Sequence, residues 1–190
     1  GNLKSVYNSV KLCCDNKHSS SKIRVTSNKK TIDNSTHLIL PGVGSFKSCV
    51  NGLKNKGILF ETIYDNISSK GKPFLGICVG MQILSSFGEE FERNTGLDII
   101  KGKTVKIETN KLKIPHMGWS EININRKSKI FDNIDDRSTF YFLHSFHLVC
   151  KYENNISSTV LYGNKLVASV QMNNIHGVQF HPESIKTKLG

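Results

Sequence analysis

The segment Gly76-Ile77-Cys78-Val79-Gly80 has the residue types and spacing of a nucleophile turn. Residues 73–77 are apolar and predict a buried strand, and residues 81–87 predict a helix. A sharp turn between a strand and a helix places its central side chain at the carboxyl edge of a sheet, where open α/β sheets bind ligands. We therefore expect Cys78 to be a catalytic nucleophile. The motif alone leaves a buried structural cysteine open as the alternative.

The residues on either side of Cys78 suit this turn. Gly76 and Gly80 supply the space that a strained backbone needs, because neither carries a Cβ atom. The helix that follows would point its N-terminus at Cys78, which favours a thiolate. The backbone N–H of Val79 would then face the oxygen of a carbonyl group under attack.

A matching base stands near the other end of the chain, in Gly177-Val178-Gln179-Phe180-His181-Pro182-Glu183-Ser184. The segment is typical of a strand that Pro182 stops, so His181 has the same kind of position as Cys78. A thiol needs a nearby imidazole to become a thiolate, and the imidazole needs a carboxylate to fix its tautomer. Glu183, held close by the rigid Pro182, is the candidate carboxylate.

A glycine loop, Pro41-Gly42-Val43-Gly44-Ser45, follows the apolar run at residues 37–40. Glycines on both sides of Val43 allow a peptide N–H to turn toward an anion, which would give an oxyanion hole its second donor. The loop lacks the lysine and hydroxyl residue of a P-loop and the full Gly-x-Gly-x-x-Gly pattern, so nucleotide binding fits poorly. A plain tight turn remains the alternative.

Composition excludes several other classes of function. The 190 residues carry a formal net charge of +11, but the lysines are scattered and are not interleaved with aromatic residues, which disfavours a nucleic-acid interface. The five cysteines are irregularly spaced and form no C-x-x-C pair, which disfavours a disulfide framework and a zinc site and favours a reduced, cytoplasmic protein. No apolar run is long enough to span a bilayer. We expect the other four cysteines to be buried.

In the first half of the chain, predicted helices alternate with predicted strands, and these elements position the groups described above. A helix is predicted over residues 2–13, strands over 22–26, 37–40 and 73–77, and a helix over 49–66 with a break near 55–57. In the second half, short alternating strands are predicted over residues 104–108, 121–125, 139–143, 159–162, 167–171 and 176–180. The pattern indicates one α/β domain, with a mostly parallel sheet flanked by helices and a mixed or antiparallel extension.

The three motifs, in this order, resemble those of the class I (triad-type) glutamine amidotransferases. The pieces are Pro-Gly-Val-Gly, Gly-Ile-Cys-x-Gly-Met-Gln and Gly-Val-Gln-Phe-His-Pro-Glu. Within that family, Pro115-His116-Met117-Gly118-Trp119 and Phe140-Tyr141-Phe142-Leu143-His144 resemble the glutaminase subunit of imidazole glycerol phosphate synthase. The resemblance covers the whole chain and implies a flavodoxin-like fold.

The resemblance also implies roles for individual residues. Cys78 would be the nucleophile, His181 the general base and acid, and Glu183 the orienting carboxylate. Val79 and Gly44 would supply the oxyanion hole. The remaining matched positions are substrate contacts at Gly44, Gln82, Glu90 and Ser145, and a partner-facing surface at His116, Trp119 and Tyr141. The implied reaction hydrolyses L-glutamine to glutamate and passes ammonia to a cyclase (synthase) subunit in a heterodimer, with no metal or organic cofactor.

Some features depart from the family pattern. We expect residues 1–190 to form a single amidotransferase domain that lacks the first strand and the last helix usual in the family. Ser184 stands where the histidine-pathway proteins carry lysine, and the segment around Cys150 is similar to paralogues that supply ammonia for surface-polysaccharide sugars. That paralogue is one alternative, and a non-catalytic binding or regulatory module on the same fold is another. A different Cys-His hydrolase fits less well, because Gln82 and Glu90 match the glutamine-binding positions.

Overall fold

A computed structural model describes residues 3–17, 20–42, 44–55, 59–109 and 112–184. The described helices are α1 Leu3–Asn16, α2 Lys29–Asp33, α3 Phe46–Lys54, α4 Leu59–Tyr64, which continues into a π-helical turn at Asp65–Ser69, and α5 Val79–Gln82. The described strands are β1 Leu38–Gly42, β2 Phe74–Cys78, β3 Ser85–Gly88, β4 Asn94–Thr95, β5 Ile100–Lys106, β6 His116–Ile124, β7 Thr139–His144, β8 Phe146–Cys150, β9 Ile156–Tyr162, β10 Asn164–Met172 and β11 Ile175–Val178.

The larger sheet runs in the order β1-β2-β11-β10-β9-β6-β7. β1, β2 and β11 are parallel, and the pairs from β11 through to β7 are antiparallel. A smaller sheet, in the order β4-β3-β5-β8, lies beside it. The parallel part matters most for the site, because the carboxyl ends of parallel strands meet at one edge. The prediction of an α/β fold with an antiparallel extension is confirmed.

The core lies where the helices cover the parallel strands and where the two sheets meet. Phe46 of α3 and Met81 of α5 are fully buried, as are Phe142 of β7 and Leu148 of β8. A core shared among elements from all parts of the chain holds the strand ends in fixed positions, since close-packed side chains resist displacement. The predicted strands after residue 100 are all confirmed, whereas β3, β4 and β8 were not anticipated.

The helix predicted over residues 81–87 is wrong in its extent. The helix α5 begins earlier, at Val79, and ends at Gln82, and β3 begins at Ser85. The carbonyl of Ile83 accepts a hydrogen bond from Leu97 at 2.7 Å, and the carbonyl of Leu84 accepts from Ile100 at 2.9 Å. These bonds tie residues 83–84 to the segment at 97–100, and Ser85 then pairs with Ile100, so the chain after Gln82 continues as a strand rather than as a helix.

Two further predictions are corrected. Residues 22–26 form no strand in the described structure, and Val25 is 59% exposed, so the alternating pattern has neither a pairing neighbour nor a buried face. The expectation that the other four cysteines are buried is also wrong. Cys13 is exposed, and Cys14, Cys49 and Cys150 are half-buried, whereas Cys78 is buried.

Candidate active site

Cys78 is the last residue of β2, and Val79 is the first residue of α5. The backbone of Cys78 has φ 55° and ψ −112°, a conformation that L-residues rarely adopt. Such strain persists only where the surrounding structure enforces it, and it concentrates at functional sites. The Cys78 side chain is buried, and its thiol lies 4.0 Å from the carbonyl oxygen of Leu143 on β7.

Close backbone packing enforces this turn. A Cβ atom on Gly80 would overlap the carbonyl oxygen of Leu40 in the middle of β1, and a Cβ on Gly76 would overlap the carbonyl of Gly80. The start of α5 therefore rests directly on the backbones of β1 and β2. This confirms that Gly76 and Gly80 provide the space that the turn requires.

His181 reaches Cys78 through the pairing of β11 with β2. The parallel register sets Val178 beside Ile77, so the chain after β11 leaves the sheet next to Cys78. The backbone N–H of His181 then donates to the carbonyl of Tyr141 at 2.8 Å, which fixes the segment against β7. The His181 imidazole Nδ1 lies 2.9 Å from Oε1 of Glu183. Since the carboxylate only accepts, Nδ1 carries a proton, and Nε2 is left for the thiol.

The electrostatics of the site favour a charged His181 paired with a charged Glu183. Burial lowers the pKa of His181, but its hydrogen bonds with Cys78 and Glu183, and their charges, outweigh burial and raise the pKa to about 9. Burial raises the pKa of Glu183, but the hydrogen bond from His181 outweighs it and the net pKa is lowered. By contrast, burial raises the pKa of Cys49 to about 11 and that of Cys150 to about 12, so both remain thiols.

Of the two predicted oxyanion donors, Val79 is the one that the structure sets directly next to Cys78. Val79 follows it directly, and the register of β1 with β2 sets Gly42 opposite Cys78. Gly44 has φ +84°, a value that glycine adopts at little cost, and a Cβ there would meet no atom within 4 Å. The peptide between Val43 and Gly44 involves Val43, which lies outside the described residues. The roles of Val79 and Gly44 stay predictions.

Three of the predicted substrate contacts, Gln82, Glu90 and Ser145, have hydrogen-bond partners within the protein. Gln82 is buried, and its amide nitrogen donates to the carbonyl of Phe146 at 2.8 Å and to Oε1 of Gln179 at 3.0 Å. A carboxylate oxygen of Glu90 accepts the backbone N–H of Phe46 at 2.6 Å. Ser145, half-buried between β7 and β8, accepts the N–H of Ile107 through its carbonyl. Their contacts with a substrate stay predictions.

Gln179 is a site residue that the sequence reasoning missed. It is fully buried, and its amide nitrogen lies 3.6 Å from the Cys78 sulfur. A signal was present, because Gln179 stands two residues before His181 in the same motif. Residues spaced by two along an extended segment project to the same side, so a polar side chain at this position faces the same site as His181.

The predicted partner-facing residues separate into two groups. His116 is only 1% exposed and is stacked between the rings of Phe142 and Tyr162. It therefore cannot itself contact a partner, and its assignment is corrected to a buried support of β6. The inward direction follows from strand alternation, since Met117 and Trp119 on the same strand point outward.

Trp119 and Tyr141 do lie on the outer side of the β6–β7 pair. They are direct cross-strand neighbours with ring centroids 5.7 Å apart. Met117 and Leu143 form the next pair and are 61% and 42% exposed. We call these four residues the apolar face. It lies over the triad, because Leu143 and Tyr141 also contact Cys78 and His181 through their carbonyls.

No helix in the described part of the chain has the length and apolar character to cross a membrane. Within the described ranges, no group of three or more His, Cys, Asp or Glu side chains is arranged to hold a metal ion.

At Cys78, a thiol faces an imidazole, and the imidazole is hydrogen-bonded to a carboxylate. This arrangement suits nucleophilic attack on an acyl carbon and proton transfer to the leaving group.

Comparisons with known proteins point to one family. A family model described as glutamine amidotransferase class-I matches residues 3–190. The imidazole glycerol phosphate synthase subunit HisH of Pelagibacter ubique is 44% identical over 192 residues, covering 100% of this chain and 90% of the relative. The protein of the same name from Pyrococcus furiosus is 42% identical over 161 residues, covering 84% of this chain and 79% of the relative.

Solved structures show the same fold. A glutamine amidotransferase crystal structure matches with a TM-score of 0.72 at 12% identity, covering 96% of this chain and 86% of that one. The glutaminase domain of Trypanosoma brucei CTPS, with bound acivicin, matches with a TM-score of 0.64 at 18% identity, covering 96% of this chain and 81% of that domain's chain.

Proposed function

Because the chain belongs to the class-I glutamine amidotransferases, we propose that it is the glutaminase subunit of imidazole glycerol phosphate synthase and acts in histidine biosynthesis. Its relatives bearing that subunit name match over most of the chain at 37–44% identity. The observation that carries the proposal is the strained Cys78, set beside the hydrogen-bonded pair of His181 and Glu183.

The proposed reaction begins with attack of the Cys78 thiolate on the side-chain amide carbon of L-glutamine. The N–H of Val79 and a peptide N–H at Gly44 stabilise the oxyanion. His181 gives its proton to the departing ammonia, and a glutamyl thioester remains on Cys78. Water, activated by His181, then cleaves the thioester to glutamate and restores the thiol. Glu183 keeps the imidazole in the required tautomer throughout.

The apolar face supports a partner subunit as the destination of the ammonia. Met117, Trp119, Tyr141 and Leu143 expose apolar surface directly over the triad, and aromatic residues and methionine are enriched in protein interfaces. A cyclase subunit docked there, in a heterodimer, would receive ammonia next to the site of its release. The acceptor chemistry in that subunit would yield imidazole glycerol phosphate and an aminoimidazole carboxamide ribonucleotide.

We also place the protein in the cytoplasm. The described cysteines are all free thiols, as expected where glutathione and thioredoxin keep cysteines reduced.

A glutaminase assay of the full chain with its cyclase partner tests the proposed chemistry. We expect Cys78→Ala to abolish glutamate release, because the variant lacks the sulfur proposed to form the thioester. The control is Cys150→Ala, which removes a half-buried thiol away from the triad and should retain activity. Full activity in Cys78→Ala would contradict the nucleophile assignment, and absence of glutaminase activity in the wild-type complex would favour a non-catalytic module.

The identity of the acceptor requires a separate measurement. The wild-type complex, supplied with glutamine and the phosphorylated ribosyl intermediate of the histidine pathway, should release imidazole glycerol phosphate. Glutamine hydrolysis without that product would favour the surface-polysaccharide paralogue, to which the segment around Cys150 is similar, and Ser184 already departs from the lysine of the histidine-pathway proteins.

A further inference from the structure

A buried hydrogen-bond chain connects the β6 strand to the Cys78 sulfur. His116 Nε2 lies 2.9 Å from Oγ of Ser120, and its Nδ1 lies 3.0 Å from Nε2 of His144. Nδ1 of His144 lies 2.9 Å from the carbonyl oxygen of Phe146. That carbonyl is also the acceptor for the side-chain amide of Gln82, at 2.8 Å.

The chain continues from Gln82 to the nucleophile. The second N–H of the Gln82 amide donates to Oε1 of Gln179 at 3.0 Å, and Nε2 of Gln179 lies 3.6 Å from the Cys78 sulfur. Both glutamine side chains are buried, at 3% and 0% exposure, so water does not compete for their hydrogen bonds.

The donor and acceptor inventory fixes the direction of every bond. The Phe146 carbonyl only accepts, so His144 Nδ1 carries the proton and His144 Nε2 accepts from His116. Burial lowers the pKa of His116 to about 4 and that of His144 to about 3, so both rings are neutral at neutral pH. The remaining nitrogen of His116 then accepts the hydroxyl proton of Ser120.

The same reasoning fixes the two amides. Gln82 must present its NH₂ group to the Phe146 carbonyl, and its second N–H then meets the oxygen of Gln179. With its oxygen engaged, Gln179 can present only its NH₂ group to the sulfur. Reversing Gln82 would set its oxygen against the Phe146 carbonyl oxygen, and reversing Gln179 would set its NH₂ group against that of Gln82. Both arrangements are costly in a buried site.

We propose that Gln179 is a further catalytic residue: its side-chain amide donates an N–H to the Cys78 sulfur and stabilises the thiolate, and the buried chain from Ser120 through His144 and Gln82 holds the amide in that orientation. The proposal rests on the proposed role of Cys78 as the nucleophile. A hydrogen bond to an anion is stronger than one to a neutral group, so this contact favours the reactive form of the thiol.

Other titratable groups also act at the site. His181 and Cys49 interact electrostatically with Cys78, and Glu183 and His144 interact with His181. A substitution at Gln179 leaves all four groups in place. A change in the pH dependence of thiol reactivity in such a variant therefore reports on the amide contact.

The test measures alkylation of Cys78 by iodoacetamide across a pH series, in the full chain, with mass spectrometry of the Cys78 peptide to separate it from the exposed Cys13. Gln179→Met keeps the approximate volume and removes the donor. We expect its alkylation profile to move by about one pH unit to higher pH, and glutaminase activity at neutral pH to fall about tenfold. Gln171→Met, the same substitution on the neighbouring β10, should leave the profile in place.

Gln179→Glu provides a second test with nearly identical shape, and its carboxylate should move the profile at least as far. If both folded variants kept the wild-type profile, the role of Gln179 would be overturned. An inactive wild-type enzyme, or a Cys78 that is not alkylated, would instead contradict the proposed function itself.

The supporting chain has its own pair of variants. His144→Leu removes the donor to the Phe146 carbonyl and should move the alkylation profile in the same direction as Gln179→Met. His144→Asn carries an amide near the position of Nδ1 and should restore it. An unchanged profile in His144→Leu would overturn the positioning role of the chain, and failure of His144→Asn to restore the profile would overturn the donor argument.

Discussion

At the scale of single residues, protonation of His181 is controlled by opposing influences. Burial disfavours the imidazolium, whereas the thiol of Cys78 and the carboxylate of Glu183 favour it, and the balance raises the pKa to about 9. The same pair lowers the pKa of Glu183. The groups proposed to perform catalysis therefore also contribute to the stability of the fold, in a pH-dependent way.

This coupling predicts how Glu183→Gln changes stability with pH. A raised histidine pKa stabilises the fold fully below its ordinary value of 6.5, and this stability is lost as the pH rises toward about 9. A lowered glutamate pKa stabilises above its ordinary value of 4.5, and this stability is lost as the pH falls below it toward the lowered value. Glu183→Gln should therefore lower the free energy of unfolding most, by about 2 kcal/mol, between pH 4.5 and pH 6.5, and less toward alkaline pH.

Urea denaturation of wild type and Glu183→Gln at several pH values measures this difference. Glu121→Gln is the control, because Glu121 pairs with Arg137 on the exposed surface and should change stability little. A Glu183→Gln difference that grew as the pH rose above 6.5 would contradict the assigned direction of the His181 shift.

At the scale of elements, the turn at Cys78 depends on contact between backbones. The start of α5 touches the strand β1 at Gly80 and the strand β2 at Gly76, so these elements approach more closely than side chains would permit. These backbone contacts hold Cys78 in its conformation with positive φ, which would otherwise be unfavourable.

Two alanine substitutions separate this packing from the general effect of replacing glycine. In Gly80→Ala, the new Cβ would overlap the Leu40 carbonyl. We expect the free energy of unfolding to fall by about 3 kcal/mol and glutaminase activity to be lost. Gly52→Ala, in the exposed part of α3 with no atom near the new Cβ, should instead stabilise by about 0.5–1 kcal/mol. Thermal denaturation of both variants measures the contrast, and equal effects would remove the case for tight packing at the turn.

At the scale of the whole molecule, the proposed triad and the apolar face form one unit. The β7 strand carries Tyr141 and Leu143, whose side chains lie on the outer surface and whose carbonyls contact His181 and Cys78. A partner that displaces β7 slightly would therefore act directly on both groups. This arrangement gives a physical route by which docking could raise glutaminase turnover.

Binding of the cyclase subunit is the measurement that tests the apolar face. Met117→Asp introduces a charge at its most exposed residue and should weaken binding at least about tenfold, because an unpaired charge is costly in an apolar interface. Leu161→Asp, on β9 and 72% exposed, is the control and should bind like wild type. Calorimetry of both variants gives the affinities, and equal losses would place the interface elsewhere.

The local parts of this protein could be predicted from the amino-acid sequence. The apolar run before Cys78, its flanking glycines and the His181-Pro182-Glu183 segment predicted a nucleophile turn and a base at a strand end, because short-range patterns encode burial and turn conformation. The alternation of apolar and polar residues after residue 100 predicted the strands there for the same reason.

Which of these parts come into contact became clear from the folded chain. Pairing of β2 with β11 brought Gln179 to the Cys78 sulfur, and the bonds from Leu97 and Ile100 ended α5 at Gln82. Strand alternation turned His116 inward, where it supports the hydrogen-bond chain instead of a partner surface. These outcomes depend on contacts between segments far apart in the chain, and no local pattern specifies such contacts.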